Sequence, residues 1–214
     1  MRSIRETRGL KFPDDYVTRW FFKRGLDRRP GRMLELGCAG GANLMLAQAY
    51  GWAPTGVDLD RRALADAGFN LGGDARLIEA DLARGWPGEA GGPFDAAMIP
   101  NLLCYLTDPQ LKSVLDGLRQ NLGSEAEVFV RTRTTSDYRY GRGQAVGADA
   151  FVLDTEETGE AGLINRFWGP EDLAALLVQQ LGLRDPVVLR VDFENLQAGR
   201  IVTNADVVIW GACP

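Results

Sequence analysis

The chain has 214 residues, 45% of them hydrophobic and 25% charged, which suits one globular domain that buries about 70% of its unfolded surface without disulfide or metal staples. Its 24 Lys and Arg against 29 Asp and Glu leave a formal net charge of -5, which argues against general nucleic-acid binding, and its lack of histidine removes Ser-His-Asp hydrolysis, Cys-His chemistry and His-dependent metal sites. Three scattered cysteines, Cys38, Cys104 and Cys213, support neither a disulfide framework nor a zinc site, and no apolar run approaches the ~18 residues of a spanning helix, so a soluble, untargeted cytoplasmic protein with no membrane partner is expected.

The first predicted element is a helix over 13–28 with Tyr16, Trp20 and Phe21 on one side. It reads as a helix packed on the core, with a lid over a bound ligand as the alternative. From Met33 onward, short apolar runs alternate with helix-period segments, the pattern of a βα-wound sheet. Strands are expected over 33–36, 54–59, 76–80, 94–99 and 127–133, each apolar enough to be buried on both faces. Helices are expected over 43–50, stopping at Gly51, and over 61–69 with Asp60 as N-cap. The clearest helix covers 109–122, with Asp108 as N-cap, Pro109 first, Leu111, Val114, Leu115, Leu118 and Leu122 on one face, and Gly123 ending it. Residues 134–168 show no sustained period and read as a long loop or insertion, of the sort that is usually functional. A helix then starts at Pro170, turns Leu173, Leu176, Leu177 and Leu181 inward and stops at Gly182. Two β-rich runs, 187–195 and 202–210, read as an antiparallel pair joined through a Gly-containing turn over 196–201.

Where the first strand meets the first helix of the sheet, residues 34–41 form a glycine-rich turn through which backbone N–H groups can approach a ligand. The dinucleotide fingerprint G-x-G-x-x-G fails there, because Ala39 and Ala42 stand at its second and third glycine positions. Glu35, inside the strand end, would repel a pyrophosphate and attract a cation such as an ammonium or a sulfonium. Asp58 ends the second strand, where a doubly wound fold positions an acid for ribose hydroxyls. Asp81 follows the third strand. Singly, each acid reads equally well as a loop residue or a helix cap; together, they converge on one crevice at the carboxyl ends of three strands.

With these residues in place, the sequence from Met33 to its end resembles the class I S-adenosylmethionine-dependent methyltransferases. The family's first motif is matched by Glu35, Gly37, Ala39 and Gly41, with Ala39 in place of the second glycine. The resemblance implies that Gly37 lets the backbone approach the methionine part of S-adenosylmethionine and that Glu35 orients its ammonium. Asp58 would bind the ribose, and Asp81 would accept from the adenine amino group with the Leu82 N–H facing the ring. Cys38, Leu59, Pro100 and Asn101 complete the expected cofactor contacts. Phe94-Asp95 and the run 99–102 resemble the fourth motif, beside the transferable methyl. The implied fold is α/β: a doubly wound, Rossmann-like sheet of about seven strands, mostly parallel with an antiparallel C-terminal hairpin strand. It would form a single domain over 1–214, with 1–30 as an N-terminal helical cap and 134–168 as a substrate-loop insertion.

Methyl transfer from a sulfonium is an in-line displacement in which alignment alone can contribute several kcal/mol, so the missing histidine is tolerable. The fourth strand lacks the Asn/Asp-Pro-Pro-aromatic turn that resembling enzymes use on exocyclic amino groups, and it lacks a Pro-Cys nucleophile; Cys104 reads as core. Tyr105 is the aromatic candidate near the methyl, with packing under the next helix as its alternative, and Asp137 or Tyr138 are candidates for a base. Alternation puts Arg131 and Arg133 on one face of the fifth strand, and Arg139 and Arg142 follow. These guanidinium groups are expected to hold a substrate carboxylate or phosphate, with Tyr16 nearby; pairing with Asp137 and Asp149 is the structural alternative. The expected activity is methylation of an O or N atom of a small-molecule acceptor, an anionic one if the arginines engage it, with no metal. A non-catalytic cofactor-binding or partner-binding protein is the alternative. An NAD(P)-linked oxidoreductase is disfavoured by the failed fingerprint and by Glu35.

Overall fold

Alternation along the strands divides the apolar side chains between two faces of one sheet, and each face is covered by helices. The computed structural model describes residues 5–154 and 159–214; residues 1–4 of the expected cap and 155–158 of the expected insertion lie outside them. Helix α1 (Asp15–Lys23) precedes β1 (Arg32–Leu36), α2 (Ala42–Ala49), β2 (Ala53–Asp58), α3 (Arg61–Leu71), β3 (Arg76–Glu79), β4 (Phe94–Pro100), α4 (Asp108–Asn121) and β5 (Leu122–Arg133). Then come β6 (Gln144–Gly147), β7 (Ala150–Val152), β8 (Ile164–Arg166), α5 (Pro170–Leu181), β9 (Arg184–Gln197) and β10 (Arg200–Ala212). The seven-stranded sheet has the order β3-β2-β1-β4-β5-β10-β9; β1 to β5 run parallel, and β10 is antiparallel to both β5 and β9. The strand order reverses between β1 and β4, which opens a crevice at their carboxyl ends. Met33, Met98, Phe129 and Val208 pack beneath α1, α2 and α3, while their neighbours Leu34, Ile99, Val130 and Ile209 pack beneath α4 and α5. No helix of the described residues is long and apolar enough to cross a membrane.

Helix α1 is clamped along β5. Alternate β5 residues meet it in turn: Glu127 receives Arg24 through two 2.8 Å hydrogen bonds, the Phe129 ring lies 5.4 Å from that of Trp20, and Arg131 reaches Asp14 at 2.6 Å. Asp14 also caps the helix, accepting from the Tyr16 and Val17 N–H groups, so α1 starts at Asp15 rather than 13. Trp20 and Phe21 are fully buried, so α1 is packed on the core and the lid alternative does not fit it.

Other boundaries move for local reasons. Thr107 is the N-cap of α4, its N–H bonded to Gln110 Oε1 at 2.8 Å, and Asp108 is instead the first helical residue, paired with Arg166. Strand β5 begins at Leu122, directly at the end of α4, so Gly123 belongs to the strand. Residues 134–168 hold a three-stranded antiparallel sheet, β6-β7-β8, rather than a structureless loop. Its strands have three or four residues each, too few for alternation to show. The terminal hairpin turns on Ala198 and Gly199 alone, both at positive φ (48° and 78°), so the ladder covers residues expected in a six-residue turn.

Helix α4 approaches the chain that follows β3 so closely that a Cβ on Gly117 would lie 2.5 Å from Trp86 Cβ and Cγ. Gly117→Ala is therefore expected to lower stability by about 1–3 kcal/mol, read from urea unfolding. An unchanged midpoint would show that Trp86 moves aside freely.

Candidate active site

The turn from β1 into α2 bends through positive φ at Gly37 (75°), Ala39 (43°) and Gly41 (75°). The Gly37 and Cys38 N–H groups both donate to the Val57 carbonyl, at 2.8 and 3.1 Å, which pins the turn to β2. Alanine is strained in this region, and the Ala39 conformation is held by its N–H donating to Asp58 Oδ2 at 2.7 Å. Asp58 Oδ1 takes the Asp60 N–H at 2.8 Å. Each oxygen keeps a further lone pair for a ligand hydroxyl.

Glu35 is 1% exposed. Asn43 Nδ2 donates to its Oε1 at 2.6 Å, and its Oε2 is buried with no hydrogen-bond partner among the described residues. Burial pushes the carboxyl up to about 8, against the Asn43 hydrogen bond and with help from Asp58 and Asp14. Asn43 Oδ1 also accepts the Asp14 N–H at 2.8 Å, joining the α1 cap to this acid.

Gly37, Asp58, Leu59, Asp81, Leu82 and Tyr105 come together around a cavity of about 350 Å³. Leu102, Leu106, Leu163 and Ile164 add apolar wall. Asp81 caps the turn Leu82–Arg84 through the Ala83 N–H (2.9 Å) while facing the cavity. Of the other residues expected to touch cofactor, Glu35, Cys38, Ala39, Gly41, Pro100 and Asn101 do not line this cavity. Cys38 turns its thiol toward Gly56, Gly41 packs on Ala67, Pro100 is paired with Arg131 in the sheet, and the Asn101 N–H donates to the Arg131 carbonyl. Leu102 takes the place expected for Pro100 and Asn101. Leu163 and Ile164 had no signal in the sequence, because they arrive from the insertion. A larger hollow of about 470 Å³ lies between α4 and α5, lined by Leu111, Leu115, Leu176 and Trp168, and holds none of the strand-end acids.

The three arginines expected to form one anion cradle are divided. Arg131 pairs with Asp14 and with Asp206 on β10, at 2.6 and 2.7 Å, and lines a separate hollow with Tyr16 and Phe193. Arg133 pairs with Glu160 at 2.5 Å. Arg139 bonds Asp137 at 2.7 and 2.9 Å and Glu160 at 3.0 Å. A guanidinium taken out of water needs a counter-charge, and each found one inside the chain. The Asp137 side chain is fully buried and accepts the Arg139 and Ala205 N–H groups besides the Arg139 side chain. Burial raises its carboxyl, but these bonds hold it below the usual carboxylate range, so it is a structural anion rather than a base. Asp149 takes the Tyr140 hydroxyl instead of an arginine. Tyr138 lies against the guanidinium of Arg139, 5.0 Å from ring centre to carbon. Tyr105 lines the cavity, and its hydroxyl donates to Glu160 at 2.6 Å. Burial pushes that phenol up, so it is a hydrogen-bond donor.

The fold can be compared with known proteins. Residues 33–125 match a family model described as a methyltransferase domain. No curated protein matches the chain. Among solved structures, an S-adenosylmethionine-dependent methyltransferase from Methanosarcina mazei is 15% identical with a TM-score of 0.70, over 95% of this chain and 100% of that one. The glycopeptide N-methyltransferase MtfA, complexed with S-adenosylmethionine, is 15% identical with a TM-score of 0.61, over 93% of both chains. The N-methyltransferase NodS from Bradyrhizobium japonicum, complexed with S-adenosylhomocysteine, is 15% identical with a TM-score of 0.57, over 93% of this chain and 84% of that one. At such identities the structures speak for the fold, and the family match speaks for the segment that builds the cavity. Residues 33–125 thus resemble a methyltransferase domain, and the chain shares the fold of S-adenosylmethionine-dependent methyltransferases.

Proposed function

We propose that the chain methylates an O or N atom of a small-molecule acceptor and that the 350 Å³ cavity receives the methyl donor. The observation that carries this reading is the meeting of Gly37, Asp58 and Asp81 at the carboxyl ends of neighbouring strands around that one cavity. When bound, S-adenosylmethionine supplies a methyl already activated on sulfonium. The residues fit it. Gly37 presents no side chain, Asp58 has lone pairs for two ribose hydroxyls, and Asp81 with Leu82 stands where a purine edge needs an acceptor and a donor. The orphaned Glu35 Oε2 suits an ammonium, directly or through water. Tyr105 forms part of the cavity wall against which the acceptor is oriented. With Asp137 closed off by its own hydrogen bonds, alignment rather than proton abstraction by that acid drives the transfer.

Calorimetric titration should show binding of S-adenosylmethionine and its demethylated product but not of NAD. Asp58→Ala should weaken cofactor binding by about 1–3 kcal/mol in a folded variant. Unchanged affinity would remove Asp58 from the site. Turnover of labelled S-adenosylmethionine with a pool of small metabolites separates an enzyme from a protein that only binds the cofactor.

A further inference from the structure

Glu160 occupies a carboxylate cradle beside the cofactor cavity. Its oxygens take the Tyr105 hydroxyl at 2.6 Å, Arg133 Nη2 at 2.5 Å and Arg139 Nη1 at 3.0 Å, and the residue is 8% exposed. The cradle is not saturated. Arg133 Nη1 is buried without a hydrogen-bond partner among the described residues. Strand β8 packs on the 103–105 turn that carries Tyr105. Tyr105 lines the cavity, and so do Leu163 and Ile164, a few residues beyond Glu160.

The geometry points to an acceptor that bears a carboxylate, which replaces Glu160 on Arg133, Arg139 and Tyr105 and so seats the acceptor next to the methyl donor. This inference rests on the reading of the cavity as the cofactor site. Charge balance selects the ligand class. Arg133 and Arg139 are matched by Asp137 and Glu160, so exchanging one carboxylate for another keeps a poorly solvated site neutral. A neutral acceptor that expelled Glu160 would leave a buried guanidinium uncompensated, and a phosphate dianion would overcharge the site. The spare Nη1 of Arg133 gives an incoming carboxylate a donor that Glu160 does not use. Leu163 and Ile164 tie the exchange to the cavity wall, because movement of Glu160 displaces them.

The test uses the full chain saturated with S-adenosylhomocysteine, with benzoate as the carboxylate probe and benzamide as its neutral counterpart. Glu160→Gln gives up the internal charge, and benzoate should then bind about tenfold more tightly than to the parent, while benzamide binding does not change. In the parent itself, benzoate and not benzamide should speed amide hydrogen exchange at Gly162 and Leu163, a readout that does not depend on how the variant folds. If S-adenosylhomocysteine does not bind, the cofactor reading fails. If it binds normally but benzoate neither gains affinity in Glu160→Gln nor alters exchange in the parent, Glu160 is a structural tie and the inference is wrong.

Discussion

Replacing Arg131 with methionine is expected to lower the free energy of unfolding by about 3–5 kcal/mol, because it strips the cation from a buried ionic cluster. Arg131 bridges Asp14, the N-cap of α1, and Asp206 on β10, with side-chain exposures of 11%, 15% and 7% respectively. Burial already lifts the Asp206 carboxyl above its usual range against the pull of Arg131. Without that guanidinium it would rise further, so the loss should be greatest near neutral pH and shrink on acidification as Asp206 takes up a proton. Urea unfolding of parent and variant at about pH 7 and about pH 5 measures both effects. A loss below about 1 kcal/mol at neutral pH, the level of an exposed pair, would mean that water reaches the cluster.

The second large effect belongs to Glu35. An unfolded chain releases this proton near the ordinary value of 4.5, whereas the folded chain keeps it to about 8. Between those values the folded state binds the extra proton, so stability declines as pH rises through the window, by up to roughly 1.4 kcal/mol per pH unit, and levels off above it. Cofactor binding should respond in the opposite sense. An ammonium beside Oε2 favours the carboxylate, so affinity should climb by up to about tenfold per pH unit toward pH 8, with one proton released. Titration calorimetry in buffers of different ionisation heat counts that proton. Glu35→Gln should flatten both pH slopes and weaken cofactor binding above pH 8 by about 1.5–3 kcal/mol. A cofactor affinity indifferent to pH in the parent would detach Glu35 from the ammonium.

Short-range patterns in the sequence determined the βα winding, the strand-end acids and the terminal antiparallel pair. Strand periodicity, capping residues and glycine turns act within a few residues, so Asp58 and Asp81 could be placed at strand ends before any contact was known. The positive φ of 43° at Ala39 emerged only in the folded chain. Only the tertiary structure decided which charges meet. Arg131 and Arg133 share a face of β5, yet one turns to Asp14 and Asp206 and the other to Glu160, partners that lie 27 to 117 residues away in the chain. The strands of the insertion were too short for periodicity to register, so its delivery of Glu160, Leu163 and Ile164 to the site was invisible. Burial set the rest: periodicity shows which residues leave water, but the counter-charge that each buried ion finds depends on chain segments brought together only by the completed fold.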